Sequence, residues 1–192
     1  MSTARRLESR IVPEAGFRSH EVAVKVAELA ALHVLLREAV AGLTPEQLGR
    51  QLAPGRNTLG MLLAHIAVAE THLGQVGLVG DPSGHVQDVL GIREDDDGLP
   101  LPADGTPPVA LAGRDAAFFL DLLARAAAHT RLAGQGVTDE LLGHEIVRPP
   151  RPDGTVRVFD RRWVMFHMVE HAAQHLGQIR VLAREVRAAT RA

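Results

Sequence analysis

Four long stretches of the chain repeat apolar residues every three to four positions, the spacing that places them on one face of an α-helix. In chain order these stretches cover residues 19–40, 58–79, 114–132 and 161–189. Each helix must bury its apolar face against another element, so four of them favour helices packed side by side. The sequence therefore predicts an all-α four-helix bundle, with a partial helical array as the alternative.

Composition supports the same fold class. Hydrophobic residues make up 46% of the 192-residue chain, whereas aromatic residues make up only 3%. Such a core must be filled by Leu, Val and Ala, which suit helices in close contact. Since a chain of this length usually forms one domain, we expect residues 1–192 to form a single helical bundle domain.

Capping and turn residues mark where the helices begin and end. Thr44-Pro45-Glu46 predicts a short linker helix after the first long one, and Gly55 closes that connection. Asn57 is the expected N-cap of the second helix, and Asp160 that of the fourth. The third helix is expected to end at Gly134.

A long crossover is predicted between the second and third helices. Residues 80–113 contain five prolines and the acidic run Asp95-Asp96-Asp97, which interrupt any long helix, although Val86–Leu90 can form one turn. A charge run in such a loop is more often solvated than a cation site. We therefore expect the acidic run to face water.

A short β-hairpin is predicted before the fourth helix. Between residues 144 and 159, Val156 and Val158 alternate with polar residues beside the turn sequence Pro152-Asp153-Gly154. This alternation and the turn residues are typical of two short paired strands.

Charge and targeting signals exclude several classes of partner. The net charge is −2, and the 21 basic residues form no block of the kind that binds nucleic acid. Residues 1–11 carry charges where a signal peptide needs an apolar run, and no stretch approaches the roughly 20 apolar residues of a membrane span. We expect a cytoplasmic protein without nucleic-acid or membrane partners.

The chain contains no cysteine, so any metal site must use nitrogen and oxygen ligands. In the fourth helix His171 and His175 are four residues apart, which puts both imidazoles on one face about 6 Å apart. They can bind one ion at about 2.1 Å. His167 is eight residues from His175, roughly 12 Å along the axis, so a third ligand must come from another helix.

His65 is the best third ligand, because it interrupts the apolar stripe of the second helix, where an imidazole needs a partner. His72, seven residues later, is the reserve. Three neutral histidines leave positions open for water or substrate, as in catalytic sites. Five other histidines have no partner at ligand spacing, and we expect them at the surface or hydrogen-bonded in the core: His20, His33, His85, His129 and His144.

Two further residues of the fourth helix lie near this site. Gln178 is one turn beyond His175 and can hydrogen-bond a ligand imidazole, which would fix the ring orientation, or make a polar contact elsewhere in the bundle. Glu170 would be a candidate base if it faced the site. Its position next to His171 instead places it about 100° around the helix.

Two sequence motifs resemble the DinB/YfiT-like metalloprotein superfamily. The segment from His167 to Gln178, His-Met-Val-Glu-His-Ala-Ala-Gln-His-Leu-Gly-Gln, is similar to its last-helix signature. The segment from Asn57 to Ile66, Asn-Thr-Leu-Gly-Met-Leu-Leu-Ala-His-Ile, is similar to its second-helix signature, which carries the first ligand histidine. Both motifs occur in the expected order.

The resemblance implies a four-helix bundle, often dimeric, with zinc or nickel on His65, His171 and His175. It also implies a transferase that takes a small-molecule substrate and a low-molecular-weight thiol of the mycothiol, bacillithiol or glutathione type. We therefore expect a homodimer with zinc as the favoured ion and nickel as the alternative. In the mycothiol-dependent branch the middle ligand is often Glu, whereas this chain has His171 there.

Two other functions remain as alternatives. One is a non-catalytic, stress-related bundle with a structural metal, which an exposed apolar patch without a cleft would favour. The other is a metal-dependent hydrolase, which needs the same ligands and a nearby acid or base, and which an accessible carboxylate beside the metal-bound water would favour. A basic, thiol-sized pocket beside the metal would favour transfer.

Overall fold

The computed structural model describes residues 9–81 and 83–191. Residues 1–8, on which the signal-peptide argument depends in part, lie outside the described residues. The elements are α1 (His20–Val40), α2 (Pro45–Leu48), α3 (Leu59–Leu73), α4 (Val86–Leu90), α5 (Ala116–Gln135), α6 (Asp139–Leu142), β1 (Glu145–Val147), β2 (Val158–Asp160) and α7 (Arg161–Arg191). A π-helical segment, Gly74–Val79, continues α3, and short 3₁₀ helices cover Glu94–Asp97 and Val109–Leu111.

The four long helices surround one apolar core. Helices α1 and α3 each pack against both α5 and α7. Fully buried side chains such as Leu36, Leu62, Phe119 and Met165 fill the space between them. A Cβ atom at Gly60 would lie 2.6 Å from the ring of Phe119, so α3 and α5 approach too closely there for a larger residue. The all-α prediction is confirmed.

The predicted helix ends need two corrections. Thr58, not Asn57, caps α3, and its hydroxyl accepts a hydrogen bond from the backbone N–H of Met61 at 3.2 Å. Gly134 does not end α5, which runs on to Gln135. A Cβ at Gly134 would lie 3.0 Å from Val22, so this glycine permits close packing of α5 on α1 rather than helix termination.

The predicted cap of the last helix is confirmed. The side chain of Asp160 accepts a hydrogen bond from the backbone N–H of Trp163 at 2.7 Å. The hairpin is also confirmed: β1 and β2 pair antiparallel with Ile146 opposite Phe159. Because β2 leads directly into α7, the hairpin lies at the amino-terminal end of the helix that carries His171 and His175.

The segment between α3 and α5 is more ordered than a plain loop. The predicted turn forms as α4, which packs against α3 and α5, and the 3₁₀ helix Glu94–Asp97 packs against α3. The expectation that the whole acidic run faces water is wrong for Asp97, which is only 3% exposed. Packing of this short helix on α3 carries Asp97 to the histidines.

One helical stretch has the length and composition of a membrane span. It covers the 21 residues Leu59–Val79, and 72% of its most apolar window is buried inside the protein. The expectation that no stretch approaches this length is therefore wrong. Its burial is what the core helix of a bundle requires.

Candidate metal centre

The three histidines predicted as metal ligands meet between α3 and α7. Nε2 of His171 lies 3.1 Å from Nε2 of His65 and 3.2 Å from Nε2 of His175. The i, i+4 spacing brings His171 and His175 together on α7, and packing of α3 on α7 supplies His65. We call these residues the triad. All three are partly buried.

Hydrogen bonds on the far side of two rings set the direction of the triad nitrogens. Nδ1 of His65 lies 2.8 Å from Oδ2 of Asp97, and Nδ1 of His175 lies 2.9 Å from Oε1 of Gln178. Carboxylate and amide oxygens accept, so each Nδ1 carries the proton and donates. In the neutral form of such a ring, Nε2 carries the lone pair and directs it into the shared space.

The surroundings of His171 and His175 favour the neutral form of both rings. Burial, and then the neighbouring imidazoles of His175, His65 and His167, lower the pKa of His171 to about 3. Burial also lowers the pKa of His175, against the opposing effect of its hydrogen bond with Gln178. Neutral imidazole is the form that ligates a metal.

The donor set fits a divalent ion. Two nitrogens bound at about 2.1 Å and subtending 90–109° are roughly 3.0–3.4 Å apart, which includes both separations in the triad. Without an ion, the Nε2 lone pairs of His65 and His175 have one possible donor between them, the Nε2–H of His171. With a cation between the rings, each Nε2 lone pair has a partner and no ring needs to be protonated.

Asp97 is a functional residue that the sequence analysis missed. Its Oδ1 also accepts a hydrogen bond from the backbone N–H of Leu99 at 2.9 Å, so both carboxylate oxygens are engaged. His65 and Asp97 are 32 positions apart and share no periodic pattern. Only the packing of the 3₁₀ helix on α3 identifies this pair.

The other candidates from the sequence lie beside the triad but not in it. Nδ1 of His72 is 3.3 Å from Glu94, and Nδ1 of His167 is 3.0 Å from Glu170. Glu170 also accepts a hydrogen bond from Gln174. His72 therefore does not replace His65, and Glu170 is held on His167 rather than at the triad.

Two neighbouring cavities give access to the centre. One, of about 280 Å³, is lined by His65 and His171 of the triad and by Asp97, His72 and His167 among others. The second, of about 430 Å³, shares His72, Leu73 and His167 with it. The hairpin side of this second cavity is basic, with three arginines: Arg148, Arg151 and Arg157.

A second histidine group lies inside the bundle. Nε2 of His33 on α1 is 2.9 Å from Oε2 of Glu70 on α3, and Glu70 is 3% exposed. Burial lowers the pKa of His129 on α5, whereas the charge of Glu70 raises it. The apolar surroundings of His33 were visible in the sequence, but its carboxylate partner was not.

Solved structures from two bacteria have the same fold. A conserved protein from Enterococcus faecalis superposes with a TM-score of 0.62 at 18% identity, covering 86% of this chain and 96% of that chain. A DinB-like protein from Bacillus cereus gives 0.56 at 20% identity, covering 88% and 93%. At sequence identities of 18% and 20%, these similarities show a shared fold and nothing about activity.

No functionally curated protein matches the chain. The family described as Mycothiol-S-transferase does match, over residues 26–188, a span that includes the whole triad. The resemblance to DinB-like proteins is thereby confirmed. The departure at His171 does not remove the chain from the mycothiol branch. The chain belongs to the mycothiol-S-transferase family of DinB-like proteins.

Proposed function

We propose that this protein holds one divalent ion on His65, His171 and His175 and transfers a low-molecular-weight thiol to an electrophilic small molecule. Membership of the mycothiol-S-transferase family supports the reaction class. One observation carries the proposal: three Nε2 atoms converge at the wall of a cavity in which the nearby carboxylates already have partners. Such a site offers open positions to a ligand from outside the protein.

The residues around the triad hold it in place. Asp97 and Gln178 fix the tautomers and ring orientations of His65 and His175 through their Nδ1 atoms, contacts of a kind that raise ligand basicity. A divalent ion in this position lowers the pKa of a thiol bound to it, so that the thiol reacts as a thiolate near neutral pH.

His167 is placed to take the proton that the thiol loses. It lines both cavities, and Glu170 orients its ring through Nδ1. Nε2 is then the acceptor, as in other His–carboxylate pairs. His167→Ala should retain the ion and slow transfer by about 100-fold, the lower end for loss of a general base.

The same geometry argues against the two alternatives. A free carboxylate beside the metal-bound water would favour hydrolysis, but Asp97 is committed to His65, Glu94 to His72 and Glu170 to His167. A non-catalytic bundle needs no cleft at its metal. Here one cavity is lined by His65 and His171, and a second, basic cavity adjoins it at His72 and His167, an arrangement that favours transfer.

Zinc is the proposed ion, with nickel as the alternative, because histidine sites accept both. Mycothiol is the first thiol to test, followed by bacillithiol and glutathione. A homodimer also belongs to the proposal. Light scattering after size exclusion tests it and should give twice the chain mass of 20.6 kDa.

The first experiment is elemental analysis of protein purified without an affinity tag or added metal. We expect about one zinc-like ion per chain, lost in His65→Ala and His171→Ala and kept in His167→Ala. Thiols are then screened against electrophiles with the loaded protein. A wild-type protein free of metal, or variants that keep it, would overturn the proposed site.

A further inference from the structure

Three arginines line the basic cavity near the triad: Arg148, Arg151 and Arg157. Within the part of the chain that the structure describes, no carboxylate oxygen lies within 4.0 Å of the guanidinium of Arg148, Arg151 or Arg157. Some arginines elsewhere on the surface are paired, such as Arg131 with Glu14 and Arg162 with Glu21. Three unpaired guanidinium groups around one cavity create a positive potential that attracts an anion.

An aromatic wall holds one of these arginines in position. The ring of His167 stacks on the ring of Trp163 at 4.6 Å with an interplanar angle of 21°. The guanidinium of Arg157 lies 4.5 Å from the centre of the Trp163 ring. His167 and Arg157 therefore both pack against Trp163. Stacking leaves the N–H edge of Arg157 free to bind an acceptor.

The same row of rings leads from the arginines to the triad. The ring of His167 lies 5.8 Å from that of His171. The ring of His167 also lies 4.6 Å from that of Trp163, which in turn lies 4.5 Å from the guanidinium of Arg157. One small molecule can therefore place an anionic group among the arginines and a reacting atom at the triad. Arginine binds a planar carboxylate through two parallel hydrogen bonds.

We propose that the cavity formed by Arg148, Arg151 and Arg157 binds the carboxylate of one of the two reactants whose reacting atoms meet at the triad. The choice of reactant rests on the proposed function, whereas the binding itself rests on the cavity. Mycothiol is a pseudodisaccharide cysteine conjugate without a carboxylate. With that thiol, the carboxylate belongs to the electrophile; with a carboxylate-bearing thiol it can belong to the thiol.

Binding can be measured without any reaction. Trp163 is the only tryptophan in the chain and forms part of the cavity wall, so its fluorescence reports on occupancy. Titration with benzoate should give saturable binding, at least 10-fold tighter than with neutral benzamide. Arg148→Ala should weaken benzoate binding about 10-fold. Arg157→Lys should also weaken it, because lysine neither stacks on Trp163 nor binds a carboxylate through two parallel hydrogen bonds. Arg184→Ala, at an exposed position 21 residues beyond Trp163 on α7, should have no effect.

A matched pair of electrophiles tests the role of the cavity in transfer. The thiol attacks the chlorine-bearing carbon of 4-chloro-3-nitrobenzoate or of the corresponding benzamide. A C–S bond forms, the C–Cl bond breaks, chloride leaves and the thiol proton passes to solvent. With mycothiol as the thiol, kcat/KM divided by the rate constant of the uncatalysed reaction should be at least 10-fold higher for the benzoate than for the benzamide. Arg148→Ala should abolish this preference mainly through KM, and Arg184→Ala should preserve it.

The outcomes separate the two proposals. If both electrophiles react equally and benzamide binds as well as benzoate, the carboxylate site is overturned while transfer stands. If neither reacts but benzoate binding still depends on the arginines, the proposed function fails and the site stands. The third outcome is a preference among thiols only: the enzyme does not distinguish the two electrophiles but prefers N-acetylcysteine over its amide. If Arg148→Ala loses this preference, the carboxylate belongs to the thiol.

Discussion

The bundle contains two groups of histidines that differ in what their nitrogens face. In the triad, Nε2 atoms face each other at 3.1 and 3.2 Å beside a cavity, and their outer nitrogens are bound by Asp97 and Gln178. In the inner pair, Nε2 of His33 faces the carboxylate of Glu70 in the core. The nitrogens of the triad face one another and can share a cation from outside, whereas Nε2 of His33 already has a partner, the carboxylate of Glu70.

This difference shows that the partner of a histidine, rather than its burial, decides its role. Both groups interrupt apolar stripes, so both look alike along the sequence. The triad has open space beside it and can gain a ligand. The inner pair connects α1 to α3, and its contribution is to stability.

The largest difference should appear when the triad loses its central ring. His171→Ala leaves two ligands, so metal affinity should fall by about 1,000-fold, or about 4 kcal/mol. The helix content should not change, because the side chain lies at the edge of the core. Competition with a chelating dye measures the affinity, and circular dichroism measures the helix. Unchanged affinity would show that the triad is not the metal site.

The inner pair should respond in the opposite way. Glu70→Ala leaves His33 without its partner and should lower the free energy of unfolding by about 3 kcal/mol, with metal content unchanged. Urea unfolding of chelator-treated protein measures this, and the exposed Glu38→Ala is the control. The double variant His33→Leu/Glu70→Leu should recover much of the loss. A double variant no more stable than Glu70→Ala would contradict the pairing.

A smaller effect is expected from the carboxylate behind the triad. Asp97→Asn removes the charge that orients His65, and metal affinity should fall about 10-fold, as for other partners of ligand histidines. Asp95→Asn, in the same acidic run but 77% exposed, is the matched control and should bind metal like the wild type. Equal affinities for both variants would mean that Asp97 only supports the loop.

The smallest effect concerns pH in the metal-free protein. The pKa of His171 is about 3 in the folded chain and 6.5 without its surroundings. Below pH 6.5 the unfolded chain therefore binds a proton that the folded chain does not, and stability falls as pH falls from 6.5 toward 3. His171→Ala should make this dependence shallower in urea unfolding at pH 7.5, 6.5 and 5.5, whereas His20→Ala should not. Parallel curves for His171→Ala and wild type would contradict it.

Much of the candidate centre follows from local rules. The i, i+4 spacing is enough to place His171 and His175 together, because helix geometry alone determines it. His65 required one further step, since an imidazole in an apolar stripe needs a partner. The carboxylate of Asp97 could not be found in this way, because its contact with His65 depends on how a 3₁₀ helix packs on α3.

By itself the sequence determined the all-α class, the hairpin before the last helix and the three histidines, since each depends on spacing within one segment. Tertiary structure alone decided which carboxylate orients His65, which carboxylate contacts His33, and that the hairpin arginines line a cavity near the triad. Those contacts join segments far apart in the chain. Their distances arise only when the helices pack and bring polar groups to points that no periodicity specifies.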